Sequence, residues 1–148
     1  MVAKKTTKKT ARAARKAAAP ARTKKGTIVH ATDKTFGSEV SGSPEPVLVD
    51  FSAAWCGPCR RLGKALPAIA RDFAGQVKVV KVDVDESPRI SAVFIDEGVP
   101  TLVLFRKGKP VAVDVGFATK TQTATWLRRA LARKPEPKRA RRPVCCGR

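Results

Sequence analysis

Between Thr27 and Arg133 the spacing of apolar residues switches repeatedly between strand-like and helix-like patterns. Thr27-Ile28-Val29-His30-Ala31-Thr32 reads as a short strand. Thr32 or Asp33 can then cap a helix running to Val40, since either side-chain oxygen accepts a free first-turn amide. Ser41-Gly42-Ser43-Pro44-Glu45-Pro46 is a loop. Val47-Leu48-Val49-Asp50-Phe51 is an apolar run interrupted by one acid, the pattern of a strand buried on both faces. A helix from about Cys59 to Ala74 carries Leu62, Leu66, Ile69, Ala70 and Phe73 at helical spacing and stops at Gly75. The β-branched stretch Val77 to Val84 predicts the next strand, and Ser87 caps a short helix with Pro88 in its first position. Thr101–Phe105 and Pro110–Val115 flank Arg106-Lys107-Gly108-Lys109 as a hairpin, with Gly108 supplying a positive φ. Thr119 to Ala132 is a closing helix with Trp126, Leu127 and Leu131 inward. Five strands interleaved with helices predict an α/β fold, a central mixed sheet with helices on both faces.

Charge changes the picture at the two ends. Of 148 residues, 31 are Lys or Arg and 12 are Asp or Glu, a formal net charge of +19. Residues 1–26 hold 10 basic residues and no acid, and residues 134–148 have a net charge of +5. Residues 27–133 have only +4. The chain therefore divides into a basic Lys/Ala-rich tail (1–26), one domain of about 107 residues (27–133) and a basic Pro/Arg tail (134–148). The first tail has no Leu, Ile or Phe, so it cannot repay its ordering entropy and is expected to be disordered when free. Its composition lacks the apolar run of a secretory signal and the apolar face of a transit peptide. No stretch approaches the ~18 apolar residues of a spanning helix, which excludes an integral membrane protein.

Lys4, Lys5, Lys8, Lys9, Arg12, Arg15 and Lys16, with Arg139, Arg141 and Arg142, are candidate contacts to a polyanion. Each cation that meets a phosphate releases counterions, giving salt-sensitive, sequence-independent binding to DNA, RNA or polyphosphate. A merely solubilising tail is the plainer alternative. Cys145 and Cys146 lie among positive charges that favour their thiolates; an auxiliary thiol role and an incidental one both stay open.

The chemistry sits between the buried strand and the long helix, at Trp55-Cys56-Gly57-Pro58-Cys59-Arg60. Cys-x-x-Cys at a helix start in an αβ pattern points to dithiol–disulfide exchange. The helix N-terminus aims free amides at Cys56 and so stabilises its thiolate, and Pro58 stiffens the ring. Two other readings stand beside this one. A zinc site needs four ligands, whereas the spare cysteines are at the far tail and the single histidine, His30, reads as structural. An inert disulfide is the second, although so tight a loop is usually reducible.

The segment Val47 to Leu62, with Trp-Cys-Gly-Pro-Cys inside it, closely resembles the thioredoxin family over about Ile28 to Leu131. Gly98-Val99-Pro100-Thr101 resembles that family's cis-proline loop, and Gly116 follows the last strand as it does there. The resemblance implies a thioredoxin fold and reduction of protein disulfides. Cys56 would be the exposed nucleophile, Cys59 the resolving thiol, Asp50 the buried proton acceptor and Lys81 its moderating neighbour. Trp55, Gly57, Pro58, Val99, Pro100, Gly116 and Phe117 would form the groove for the target's backbone. It further implies a cytoplasmic monomer. The charge of the tails, which the resemblance does not cover, would hold it near a nucleoid or chromatin, and the chain has no NADPH or flavin fingerprint, so no bound cofactor is expected. Its electrons would come from NADPH through thioredoxin reductase. A polyanion-binding or assembly protein using the domain as a scaffold is the alternative.

Three departures from the family pattern bear on partner choice. Ser52 stands where a second Trp is usual, and Lys64 where a kink proline is usual, with Pro67 three residues on, so that a kink would shift. Asp96-Glu97 precede the cis-proline loop and would discourage acidic partners.

Overall fold

The structure, a computed structural model, describes residues 26–116 and 119–133. The two basic tails, with every polyanion contact expected on them and both tail cysteines, lie outside the described residues, as does Phe117.

Five strands form one sheet in the order β1-β3-β2-β4-β5: β1 Ile28–Ala31, β2 Val47–Ser52, β3 Lys78–Asp83, β4 Thr101–Arg106 and β5 Lys109–Val115. β1, β3 and β2 run parallel, and β4 and β5 are antiparallel additions, so the sheet is mixed as the pattern predicts. Helices α1 (Gly57–Asp72) and α3 (Lys120–Ala132) cover one face, where Leu48, Leu62, Leu66, Leu102, Leu104 and Leu127 make the core. On the other face α2 (Pro88–Phe94) and the segment after β1 enclose a second core. Phe36, Phe51, Phe94 and Phe105 meet there with ring centroids 5.1 to 6.3 Å apart.

Strand alternation positions the site. On β2, Val47, Val49 and Phe51 enter the aromatic core, so Leu48, Asp50 and Ser52 face α1. On β3, Val80 and Val82 take the aromatic side, and Val79, Lys81 and Asp83 the α1 side. Asp50 and Lys81 are direct cross-strand partners. An acid and a base thus share the face that α1 covers.

Local structure differs from the sequence reading at several points. α1 begins two residues earlier than expected, because the fixed φ of Pro58 suits the first turn and Cys56 takes the cap position. It continues as one helix past Lys64 and Pro67. The helix expected up to Val40 is instead a five-residue π-helical turn, Gly37–Ser41. Asp33 does not cap it. Its carboxylate reaches across the fold and accepts the amides of Ile90 (3.0 Å) and Arg89 (3.3 Å) in the first turn of α2. Ser87 occupies the cap position of α2, yet its hydroxyl is buried without a hydrogen bond. The hairpin turn is Lys107-Gly108, both at positive φ, as a two-residue turn matched to strand twist requires. A Cβ on Gly108 would lie 2.9 Å from Oγ of Ser41, so a larger residue there is strained by its positive φ and makes Ser41 give way. In α3 the inner face consists of Thr123, Ala124, Leu127 and Ala130, while Trp126 and Leu131 are only partly buried. The small residues let α3 lie close to α1. His30 is exposed on the edge strand, in register with Lys81.

The Asp33 cap is a long-range tie that stability measurements can read. Asp33→Ala should lower the urea unfolding free energy by about 1 kcal/mol, and Asp33→Asn should retain most of it. Equal stability of the wild-type and Ala chains would remove the capping role.

Candidate functional site

Cys56 is the residue at which β2's loop becomes α1. Its backbone is extended (φ −83°, ψ 116°), and its sulfur accepts the amide of Cys59 at 3.2 Å. The two cysteines are joined as a disulfide with a Cα–Cα separation of 5.2 Å, within the range that a disulfide spans without moving the backbone. In the dithiol state the same amide and the same helix end face the Cys56 thiolate, lowering its cost. The expectation of an exposed Cys56 needs correction. It is 6% exposed against 3% for Cys59. The covering comes from the disulfide itself and from the loop at Val99, whose carbonyl oxygen lies 3.7 Å from Sγ of Cys56.

The expected groove residues surround this pair unevenly. Trp55 is 70% exposed, and its indole N–H donates to Oδ2 of Asp85 at 3.1 Å. Asp85 was not among the residues expected at the site. The signal for it was the need of an indole N–H for an acceptor, which the acids after β3 can meet. Gly57 is half-buried and Pro58 exposed. The Val99–Pro100 peptide is cis, as the resemblance implied. Pro100 is buried, and its carbonyl accepts the Gly116 amide at 3.0 Å, tying the end of β5 to the loop over Cys56. Thr101 closes the loop from the other side through a 2.5 Å bond to the Gly98 carbonyl. Asp96 and Glu97 are exposed just before it.

Beneath α1 lies Asp50, with no exposed surface. Neither carboxylate oxygen has a hydrogen-bond partner, and the buried Ser52 hydroxyl on the same face has none either. Burial pushes the Asp50 carboxyl up from its usual 3.8 to about 7. The positive charge of Lys81 opposes that rise, as does, more weakly, the Ser52 hydroxyl, which stands beside it outside hydrogen-bond geometry. The folded protein therefore holds this proton more tightly than the unfolded chain. Stability contributed by the neutral carboxyl is complete below about pH 4 and is lost as pH rises to about 7. Above that, the buried anion costs the fold on the order of 4 kcal/mol.

A cleft of about 380 Å³ opens between the start of α1 and the ends of β2 and β3. Ser52, Cys59, Gly63, Lys64, Lys81 and Asp83 line it, bringing Cys59, the lysine and the serine to one space. Ser52 fills little of the volume that a bulky side chain would take here. Gly63 lets α1 pass close to Lys81, whose Nζ would be 4.0 Å from a Cβ at that position. Among the described residues no group of three or more His, Cys, Asp or Glu comes together as a metal site.

This arrangement is a tight disulfide at a helix start, with a cis-proline loop against it and a neutral-poised carboxyl behind it. The family model for thioredoxin matches residues 27–129. A thioredoxin from Allochromatium vinosum is 45% identical over 100 residues, covering 68% of this chain and 94% of that protein. Thioredoxin 1 from a Nostoc species is 43% identical over the same shares of both chains. Thioredoxin 1 from Synechococcus elongatus is 46% identical over 96 residues, 65% of this chain and 90% of that protein. On sequence, fold and disulfide together, the chain belongs to the thioredoxin family of protein-disulfide oxidoreductases.

Proposed function

We propose that this protein reduces the disulfides of other proteins by two successive exchanges at Cys56 and Cys59. In the dithiol form the Cys56 thiolate attacks one sulfur of a target disulfide, and the other target sulfur leaves as a thiolate. The Cys59 thiol then loses its proton and attacks Sγ of Cys56. This frees the reduced target and forms the disulfide seen in the structure. Asp50 accepts the Cys59 proton, and Lys81, its cross-strand partner, keeps the resulting carboxylate tolerable. Trp55, Gly57, Pro58, the Val99–Pro100 loop and Gly116 receive the target's extended backbone, with Phe117 the seventh groove residue.

The observation that carries this reading is the Cys56–Cys59 disulfide at the start of α1, the helix covering the face where Asp50 is buried, whose carboxyl burial pushes up to about 7. That poise favours turnover over the scaffold alternative, since a buried carboxyl left unpaired only costs stability in a domain that never exchanges a proton. Regeneration would use thioredoxin reductase, with NADPH as the electron source and no cofactor held by this chain. We place the protein in the cytoplasm as a monomer. No helix among the described residues is long and apolar enough to cross a membrane.

The working unit would be residues 27–133, and the tails would add location. The charge of residues 1–26 and 134–148 supports binding of DNA, RNA or polyphosphate through counterion release. Such contacts would hold the reductase near a nucleoid or chromatin without altering its chemistry.

The roles of the site residues and of the tails are tested separately. Cys56→Ser should abolish insulin reduction, and Cys59→Ser should trap mixed disulfides with targets. Asp50→Ala should slow the release step most near pH 7, by roughly tenfold or more. Undiminished turnover in the Cys56→Ser chain, or a release rate with an unchanged pH profile in Asp50→Ala, would refute the assigned roles. For the tails, about six phosphate contacts give a log–log salt slope of roughly −5 on duplex DNA, so retention on a DNA column should fade steeply between ~50 and ~200 mM salt. A chain reduced to residues 27–133 should pass through while still reducing insulin. Equal retention of the two chains would show that the tails do not bind DNA.

A further inference from the structure

A second concavity, of about 580 Å³, lies between the end of α2 and the edge strand β5. Its apolar walls include Val93 and Val113, which are 68% and 54% exposed and, with Trp55, are the large apolar side chains most open to solvent among the described residues. Asp96 and Glu97 also line it, as does Asp114, although its side chain shares the α3 face with its cross-strand partner Leu102; among the described residues no lysine or arginine lines it. The groove runs along β5 from Pro110 at the hairpin end to Val115 at the far end. Glu97, at that far end, is two residues from Val99, whose carbonyl lies against Cys56. The groove is apolar and anionic, and it ends beside the disulfide.

We propose that residues 134–148 of this chain lie in that groove and, docked there, carry Cys145 and Cys146 to the Cys56–Cys59 disulfide. Three observations select this occupant. The first is charge: residues 134–148 hold six basic residues against one acid, with Arg139, Arg141 and Arg142 together. The second is the point of departure. The guanidinium of Arg106 donates to the carbonyls of Arg133 (3.0 Å) and Leu131, fixing the end of α3 to the end of β4. Arg106 pairs with Lys109 and Phe105 with Pro110, so the chain leaves beside the groove's mouth and needs only to turn round the β5 edge. The N-terminal basic segment, by contrast, joins the domain at β1, the opposite edge of the sheet. The third is length. The seven steps from Lys138 to Cys145, in the extended form that Pro-rich chains favour, span ~22 Å. The five steps from Pro110 to Val115 on β5 span ~17 Å. With Lys138 at Pro110, the tail thiols reach the loop over Cys56.

The exchange that follows rests on the reading of Cys56 as an active thiol. The Cys145 thiolate attacks Sγ of Cys56, the Cys56–Cys59 bond breaks, and its electron pair leaves on Sγ of Cys59. One thiolate enters and one departs, so no outside oxidant or reductant is consumed. Attack by Cys59 reverses the step.

The test uses the full chain carrying Cys59→Ser, equilibrated in a glutathione buffer and mapped by mass spectrometry without reduction. A Cys56–Cys145 or Cys56–Cys146 bond within one chain is expected. Its effective concentration should fall about tenfold when Glu97→Lys is added, or when salt is raised to ~0.5 M. Adding Arg139→Glu and Arg141→Glu to the reversed groove should restore it. Absence of the bond, a bond formed only between chains, or a bond indifferent to both charge reversal and salt would overturn the proposal. Insulin reduction by the chain with all four cysteines separates the two claims: normal reduction without the cross-link refutes docking alone, while failed reduction refutes the redox reading.

Discussion

The burial of Asp50 is the constraint on which the rest of the site depends. A carboxyl with no exposed surface and no hydrogen-bond partner is a costly thing to place in a central strand. It is placed there by register: the aromatic core claims Val47, Val49 and Phe51, and strict alternation sends Asp50 to the α1 face. The same alternation on β3 puts Lys81 opposite it. A one-residue slip of β2 would move Asp50 into the aromatic core and away from α1. The chemistry of the cysteines and the packing of the sheet are therefore one arrangement, held by the large apolar residues on both faces.

Around that centre the fold leaves the disulfide covered rather than open. The cis-proline loop, held by Gly116 on one side and Thr101 on the other, lies against Cys56, and Trp55 stands out into solvent on its hydrogen bond to Asp85. Ser52 makes the space behind Cys59 roomier and more polar than a large aromatic side chain would. The cleft therefore brings solvent-accessible space to Cys59 and Lys81, while the Asp50 carboxyl stays fully buried.

Much of this was legible in the sequence. The apolar run of β2, interrupted by one acid, marked a strand buried on both faces, and Cys-x-x-Cys at a helix start pointed to dithiol–disulfide exchange. Local rules failed where a residue serves a distant partner. Asp33 reads as a cap for the segment beside it, yet its carboxylate holds α2, and Ser87, which reads as that helix's cap, makes no such bond. No periodicity reports such a contact, because it depends on how the segment after β1 packs over the sheet. The indole of Trp55 and Asp85 pair across a separation of 30 residues for the same reason. The low exposure of Cys56 was hidden too, since it arises from a loop more than forty residues away. The acidic groove on β5 became visible only when Asp96 and Glu97 were brought beside Val113 and Val115 by the hairpin and the end of α2.

The central claim is that burial holds the Asp50 carboxyl ready to take up a proton near neutrality. Its titration can be followed directly through the chemical shift of the side-chain carboxyl carbon in the oxidised protein. A midpoint near 7 is the predicted result, moving higher when Lys81→Met removes the opposing positive charge. A midpoint close to the ordinary 3.8, or one indifferent to Lys81, would contradict the account.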